Sequence, residues 1–179
     1  LVGGSLGART VNESVLQHLD LIRQNTDVQF IWQTGKYYSA EIAERLKDIK
    51  PDNLVVTDFI ADMGAAYKAA DLVISRAGAG TISELCLLGK PAILVPSPNV
   101  AEDHQTHNAM ALVNRQAALL VRDADASEEL IPLALETVVN TEKLQELGQN
   151  AAAMALRDSA RVIAEEVIKL GNGNGDAIT

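Results

Sequence analysis

The sequence predicts a three-layer α/β domain built on a parallel sheet. Short apolar runs alternate with helical segments along its 179 residues. The runs are rich in Val, Ile and Leu and are not two-faced, as suits strands covered on both sides. A chain of this length also fits one domain with a sizeable core. Strand–helix alternation with right-handed crossovers is the pattern of such folds.

The apolar runs place strands at residues 1–2, 28–33, 54–57, 72–75, 92–95 and 118–121. The first is shorter than the roughly five or six residues of a buried strand. It runs straight into a glycine turn, with no initiator Met and no basic leader. The chain is therefore expected to be a fragment cut at or inside a strand, with no signal peptide. Residues 8–23 carry Val11, Val15, Leu16, Leu19 and Ile22 near helical spacing. Further helices are expected at 39–49, ended by the Pro51 turn, and at 62–70, 81–88 and 105–115. After Asp125 the pattern is wholly helical, at 127–140, 142–156 and 159–170. The domain is expected to span 1–170, with the Gly-rich segment 171–179 a flexible tail.

Composition excludes several classes. Apolar residues make up 47% and charged residues 22%, an ordinary globular balance. A net charge of -9 argues against a nucleic-acid surface, which needs clustered Lys and Arg. It leaves open a local phosphate site made from backbone N–H groups. No apolar run approaches the roughly 18 residues of a membrane span. The single Cys86 excludes an internal disulfide and any CxxC metal site, and fits a reducing compartment. Beside Leu85, Leu87 and Leu88 it reads as core filling, and His18 reads as surface.

In parallel sheets the ligand sits beyond the carboxyl ends of the strands. The loops that matter are then 3–7, 34–37, 58–63, 76–81, 96–105 and 122–126. The first is GGSLGAR, with Gly3, Gly4 and Gly7. Glycine allows a sharp turn and close approach of backbone to ligand. The helix behind it offers free N–H groups and a positive dipole end, and Ser5 adds a hydroxyl. Phosphate contact and a plain βα turn both remain open. The spacing matches neither GxGxxG nor GxxxxGK[ST].

The second is SRAGAGTISELCLLGKP, residues 75–91. Thr81 and Glu84 have the T-x-x-E spacing of a capping box. Glu84 is therefore either a helix cap or a carboxylate facing the cleft, where each oxygen can accept from one hydroxyl of a diol. The Ala79 and Gly80 N–H groups and Thr81 suit a pyrophosphate. Arg76 either neutralises it or buttresses the loop. In PSPNVAEDHQTHNA, residues 96–109, Gln105 offers the donor and acceptor that sugar hydroxyls require. His104 and His107 have no zinc spacing. In TDFIADMGAAY, Phe59 and Ile60 either cover a flat base or fill the core. No Ser/His/Asp set and no carboxylate pair for acid–base work is present.

Taken in order, GGSLGAR, DFIADMGAAYKAADLVISRAGAGTISEL and GKPAILVPSPNVAEDHQTHNA closely resemble the MurG-type peptidoglycan glycosyltransferases, over residues 1 to about 170. The resemblance implies the C-terminal, Rossmann-like, donor-binding half of a GT-B enzyme. Such enzymes transfer GlcNAc from UDP-GlcNAc to lipid I, making lipid II, with inversion and without metal or other cofactor. It implies that Glu84 binds the ribose, Ile60 meets uracil, and Ser5 with Ala79, Gly80 and Thr81 contacts the diphosphate. Gln105, with His104 beside it, would meet the GlcNAc hydroxyls, and Arg76 would lie near the donor. Leu6 departs from the Gln common after GGS, although contacts there are largely backbone and Ser5. Lipid I, the membrane and the catalytic base would belong mainly to an N-terminal domain absent here. The site of action would be the cytoplasmic side of the bacterial plasma membrane. The fragment alone is then expected to bind UDP-GlcNAc weakly and not to transfer sugar. The alternatives are another GT-B enzyme (a 2-epimerase or a glycolipid transferase) and a non-catalytic nucleotide-binding module. Against NAD stand the departure from GxGxxG and the presence of Gln33 and Thr34 where an acidic residue would end the second strand.

Overall fold

A parallel ladder organises the chain in the computed structural model, which describes residues 1–4, 8–98 and 103–173. Strand β1 (Phe30–Gln33) pairs with β2 (Leu54–Thr57). Strands β3 (Val73–Ser75), β4 (Ala92–Leu94) and β5 (Leu119–Leu120) pair in that order. Val2 joins the two groups through parallel bridges to Gln33 on one side and Ser75 on the other. The Val2 N–H donates to the Ile74 carbonyl at 2.8 Å, and the Gln33 N–H to the Leu1 carbonyl at 3.0 Å. The order across is therefore β2, β1, residues 1–2, β3, β4, β5. This is the doubly wound order, and its winding reverses between residues 1–2 and β3. The loops after Val2 and after Ser75 thus flank the switch point.

The pleat sends alternate residues to separate cores. On β3 and β4, Val73, Ala92 and Leu94 pack with Tyr67, Leu85, Cys86, Ala109 and Leu112. Ile74, Ile93 and Val95 face the other way, against Val11, Leu130 and Ala134. At the β1–β2 end one face is covered by Val15, Ile22, Ile42, Leu46 and Ile131 around the fully buried Trp32. The opposite face is less covered than the apolar runs imply, with Ile31 39% and Val55 58% exposed. The two-sided cover expected from the sequence thus holds over β3 and β4 and fails at this edge.

The helix expected at 8–23 is two helices, α1 (Arg9–Gln17) and α2 (Leu19–Gln24). The break is His18, with φ -111° and ψ 22°. Its N–H reaches the Val15 carbonyl at 3.1 Å. Its ring Nδ1 lies 2.9 Å from the Ser14 carbonyl, which an unbroken helix would have bonded to the His18 N–H. A side chain competing for that carbonyl is enough to interrupt the helix. Helices α3 (Ser39–Leu46), α4 (Met63–Ala69), α5 (Ala79–Leu88) and α6 (His104–Val113) follow their strands as the periodicity implies. Helix α4 is capped by Asp62, whose carboxylate accepts from the Ala65 N–H at 2.8 Å. Helix α5 ends at Gly89 in the left-handed conformation, φ 59°.

The helical C-terminal part is α7 (Ala126–Val138), α8 (Thr141–Ala153) and α9 (Ser159–Gly173). Helix α8 approaches the end of α5 so closely that a Cβ on Gly148 would lie 2.8 Å from the Gly89 carbonyl. Only glycine fits there without moving backbone. Helix α9 runs three residues into the segment expected as a flexible tail, and 174–179 lie outside the described residues.

Candidate functional site

The glycine turn after Val2 is held from below by β1. Gly4 has φ 77°, a conformation that favours glycine. The buried Gln33 amide brackets it: the Gly4 N–H donates to Oε1 at 3.2 Å, and Nε2 donates to the Gly4 carbonyl at 3.4 Å. In the sequence Gln33 stands out only as a non-acidic end to its strand. Its role as the brace of the first loop shows only when the two segments sit side by side. Behind it, buried Asn12 accepts from the Trp32 indole at 2.9 Å and donates to the Thr34 carbonyl at 3.0 Å. Ser5 and Gly7 lie outside the described residues, so their expected phosphate contacts have no geometry here.

Across the switch point, β3 delivers Arg76–Ala77–Gly78 into α5. The helix starts at Ala79 with Gly78 as N-cap and no side-chain cap. The capping-box alternative for Thr81 and Glu84 therefore fails. The helix opens two residues earlier than Thr81, placing Thr81 inside the first turn and Glu84 in the second. Its first N–H groups, including those of Ala79, Gly80 and Thr81, have no acceptor within the helix. A Cβ on Gly78 or on Gly80 would meet nothing within 4 Å, so the space beside this turn is open.

Glu84 is exposed, and the hydroxyl of buried Tyr67 on α4 donates to its Oε2 at 3.1 Å. Burial, and then the Glu84 charge, push the Tyr67 phenol from 10.0 to about 12. The folded state thus favours the protonated phenol. That contribution to stability is complete below about pH 10 and is lost as pH rises towards 12. Tyr67→Phe is expected to flatten this alkaline loss, as measured by urea unfolding at a series of pH values from about 9 to 12.

The loops are tied together by two clusters. Arg76 Nη1 is ion-paired with Asp123 and also donates to the Val95 and Pro96 carbonyls, at 3.1 and 3.2 Å. Asp123 accepts from Thr10 Oγ1 at 2.9 Å as well, so one carboxylate joins the loops after β3 and β5 to α1. Of the two roles open to Arg76, this is the arrangement of a buttress. The second cluster is Gln105, whose Oε1 accepts from the Ala77 and Ser97 N–H groups at 3.2 and 3.0 Å. Asn108 Nδ2 donates to the Ala77 carbonyl at 3.1 Å. The Gln105 oxygen is thus occupied by backbone, and contact with a ligand hydroxyl falls to its amide N–H₂ group. His104 is the exposed first residue of α6. Asp123, Asn108 and Tyr67 carry no signal in the sequence, because their partners lie on other elements far along the chain.

Ile60 is half-buried and lines a cavity of about 550 Å³ under α4, with Met63, Tyr67, Val2 and Ile74. Most of this cavity lies along the body and amino ends of β1 and β3, away from the loops where a ligand of this fold binds. Among the described residues there is no group of three or more His, Cys, Asp or Glu that could hold a metal ion. Among them, too, no helix is long and apolar enough to cross a membrane.

A doubly wound sheet, with a glycine turn and an uncapped, small-residue helix start on either side of its switch point, is a Rossmann-like nucleotide-binding arrangement, and the family and solved structure it matches make it the C-terminal domain of a GT-B glycosyltransferase. The chain belongs to the family described as the glycosyltransferase family 28 C-terminal domain, whose model matches residues 1–166. It is 66% identical over 171 residues to a Bacteroides fragilis protein named UDP-N-acetylglucosamine--N-acetylmuramyl-(pentapeptide) pyrophosphoryl-undecaprenol N-acetylglucosamine transferase. That match covers 95% of this chain and 45% of the relative. The protein of the same name from Bacteroides thetaiotaomicron is 61% identical, over 95% of this chain and 46% of the relative. The chain thus spans about half the length of the curated relatives it matches. The crystal structure of Acinetobacter baumannii MurG superposes with a TM-score of 0.79 at 33% identity, over 94% of this chain and 48% of that one. Glycosyltransferase VinC, solved in complex with DTDP, shares the fold at TM-score 0.65 and 17% identity, over 88% of this chain and 39% of that one.

Proposed function

We propose that this chain is the donor-binding half of the transferase that moves GlcNAc from UDP-GlcNAc to lipid I, forming lipid II in peptidoglycan synthesis. The observation that carries the reading is the position of Glu84. It is exposed beside an open, uncapped helix start, with one oxygen held by Tyr67. The other oxygen can take a ribose hydroxyl, and the carboxylate together can serve a vicinal diol. The N–H groups of Ala79 and Gly80, with Thr81, receive the diphosphate, opposite the turn of Gly3 and Gly4 that leads to Ser5 and Gly7. Charge building on the departing UDP is met by these fixed dipoles rather than by a metal. Ile60 meets the uracil through its backbone and the flank of its side chain. Gln105, with His104 beside it, meets the sugar hydroxyls. Arg76 acts on the donor by holding the loop.

The domain in this role covers residues 1–170. Lipid I, the catalytic base and contact with the cytoplasmic face of the plasma membrane belong mainly to the other half of the longer enzyme. The likeness to relatives whose name specifies N-acetylglucosamine transfer to a pyrophosphoryl-undecaprenol acceptor favours this acceptor over other GT-B reactions.

Calorimetry of the 179-residue chain with UDP, UDP-GlcNAc and NADH tests the donor site. UDP and UDP-GlcNAc are expected to bind, and NADH to bind more weakly than UDP. Tighter binding of NADH would overturn the reading. The same chain is expected to give no lipid II from lipid I and UDP-GlcNAc; turnover would show that the division of labour proposed here is wrong.

A further inference from the structure

The ribose-binding reading of Glu84 leaves one neighbour unexplained. Tyr67 sits on α4, and its ring is packed among Val73, Ala77, Leu85 and Cys86 at 5% exposure. A phenylalanine would fill the same space. The hydroxyl adds one interaction, the 3.1 Å bond to Glu84 Oε2.

Glu84 itself stands exposed on the second turn of α5. An exposed glutamate samples many rotamers, and a vicinal diol is bound well only by a carboxylate already turned towards it. The Tyr67 ring is locked by the core, so its hydroxyl is a fixed point on an otherwise mobile surface. It donates to one oxygen and orients the second.

We propose that Tyr67 is a positioning residue for Glu84, and that the preference of this site for a ribonucleoside over a 2′-deoxyribonucleoside diphosphate depends on the Tyr67 hydroxyl. The proposal rests on the reading of Glu84 as the ribose ligand. With its phenol held near 12, Tyr67 remains a donor through the neutral range.

The test is titration calorimetry of the 179-residue chain with UDP and with 2′-deoxy-UDP. It compares wild type, Tyr67→Phe, Glu84→Ala and the double variant. Wild type is expected to favour UDP by about tenfold, the worth of one hydrogen bond to a charged group. In Tyr67→Phe the ratio of the two affinities is expected to fall to about threefold or less, and UDP binding to weaken correspondingly. The double variant is expected to bind UDP no more weakly than Glu84→Ala, since the hydroxyl acts only through the carboxylate. A loss of stability in Tyr67→Phe would lower both affinities by the same factor and leave their ratio unmoved. An unchanged ratio in Tyr67→Phe, beside a lowered ratio in Glu84→Ala, would overturn the proposal while leaving the ribose reading intact. A wild type that does not distinguish the two nucleotides, with Glu84→Ala binding UDP normally, would remove the ribose reading and the proposal with it.

Discussion

Glu84→Ala is expected to weaken UDP binding by about 1–3 kcal/mol, roughly 5- to 150-fold, while changing thermal stability little. The affinity loss follows from removing the charged acceptor that would serve the ribose hydroxyls in the proposed site. The small stability effect follows from the structure. The side chain is exposed, and α5 starts at Ala79, so Glu84 caps nothing. What alanine leaves behind is the Tyr67 hydroxyl without its carboxylate partner, and this group lies near enough to the surface for water to replace Glu84. UDP calorimetry paired with a thermal melt separates the two roles. A clear fall in melting temperature with unchanged affinity would return Glu84 to a purely structural part.

The second large effect is expected at Arg76 and Asp123. Both side chains are 20% exposed and ion-paired, and Arg76 also satisfies two carbonyls from the loop after β4. Removing one partner strands the other in a largely desolvated place. Asp123→Ala is therefore expected to cost about 2–3 kcal/mol of stability, somewhat under the cost of breaking a fully buried pair. The same change releases Thr10 on α1, so the loops on both sides of the switch point lose their common anchor. UDP affinity is expected to fall with it, although Asp123 is placed to touch no ligand in the proposed site. Urea unfolding and UDP titration of Asp123→Ala and Arg76→Ala decide the matter. If Arg76 is a buttress, the two variants lose affinity alike. If Arg76 binds the diphosphate directly, Arg76→Ala loses affinity and Asp123→Ala keeps it.

Periodicity carried the element order, because buried parallel strands and amphipathic helices leave patterns local to a few residues. The strands observed at 54–57, 73–75 and 92–94 and the helix starts at Ser39 and Ser159 are legible in this way to within a residue. The break at His18 was not, because a ring nitrogen reaching the Ser14 carbonyl leaves no mark on the hydrophobic pattern. The T-x-x-E spacing from Thr81 to Glu84 left the helix start and the role of Glu84 open for a related reason. Where a helix begins depends on backbone angles at Gly78, and small residues fit several of them.

At the proposed site, the chain by itself marked three segments as candidates: a glycine turn, the small-residue run RAGAGTISE and the polar start of α6. These are composed of residue types that only a few backbone and ligand tasks require. The tertiary structure alone decided how they are assembled. Val2 lies between β1 and β3, so the first and second of those segments flank one switch point. Arg76 turns to Asp123, and Glu84 to Tyr67. The Gln105 oxygen is taken by the backbone of two loops. Each of these pairings joins residues at least 8 positions apart, and the Arg76–Asp123 pair spans 47. The identity of a partner at such separation is set by chain crossing and packing, to which local sequence patterns are blind.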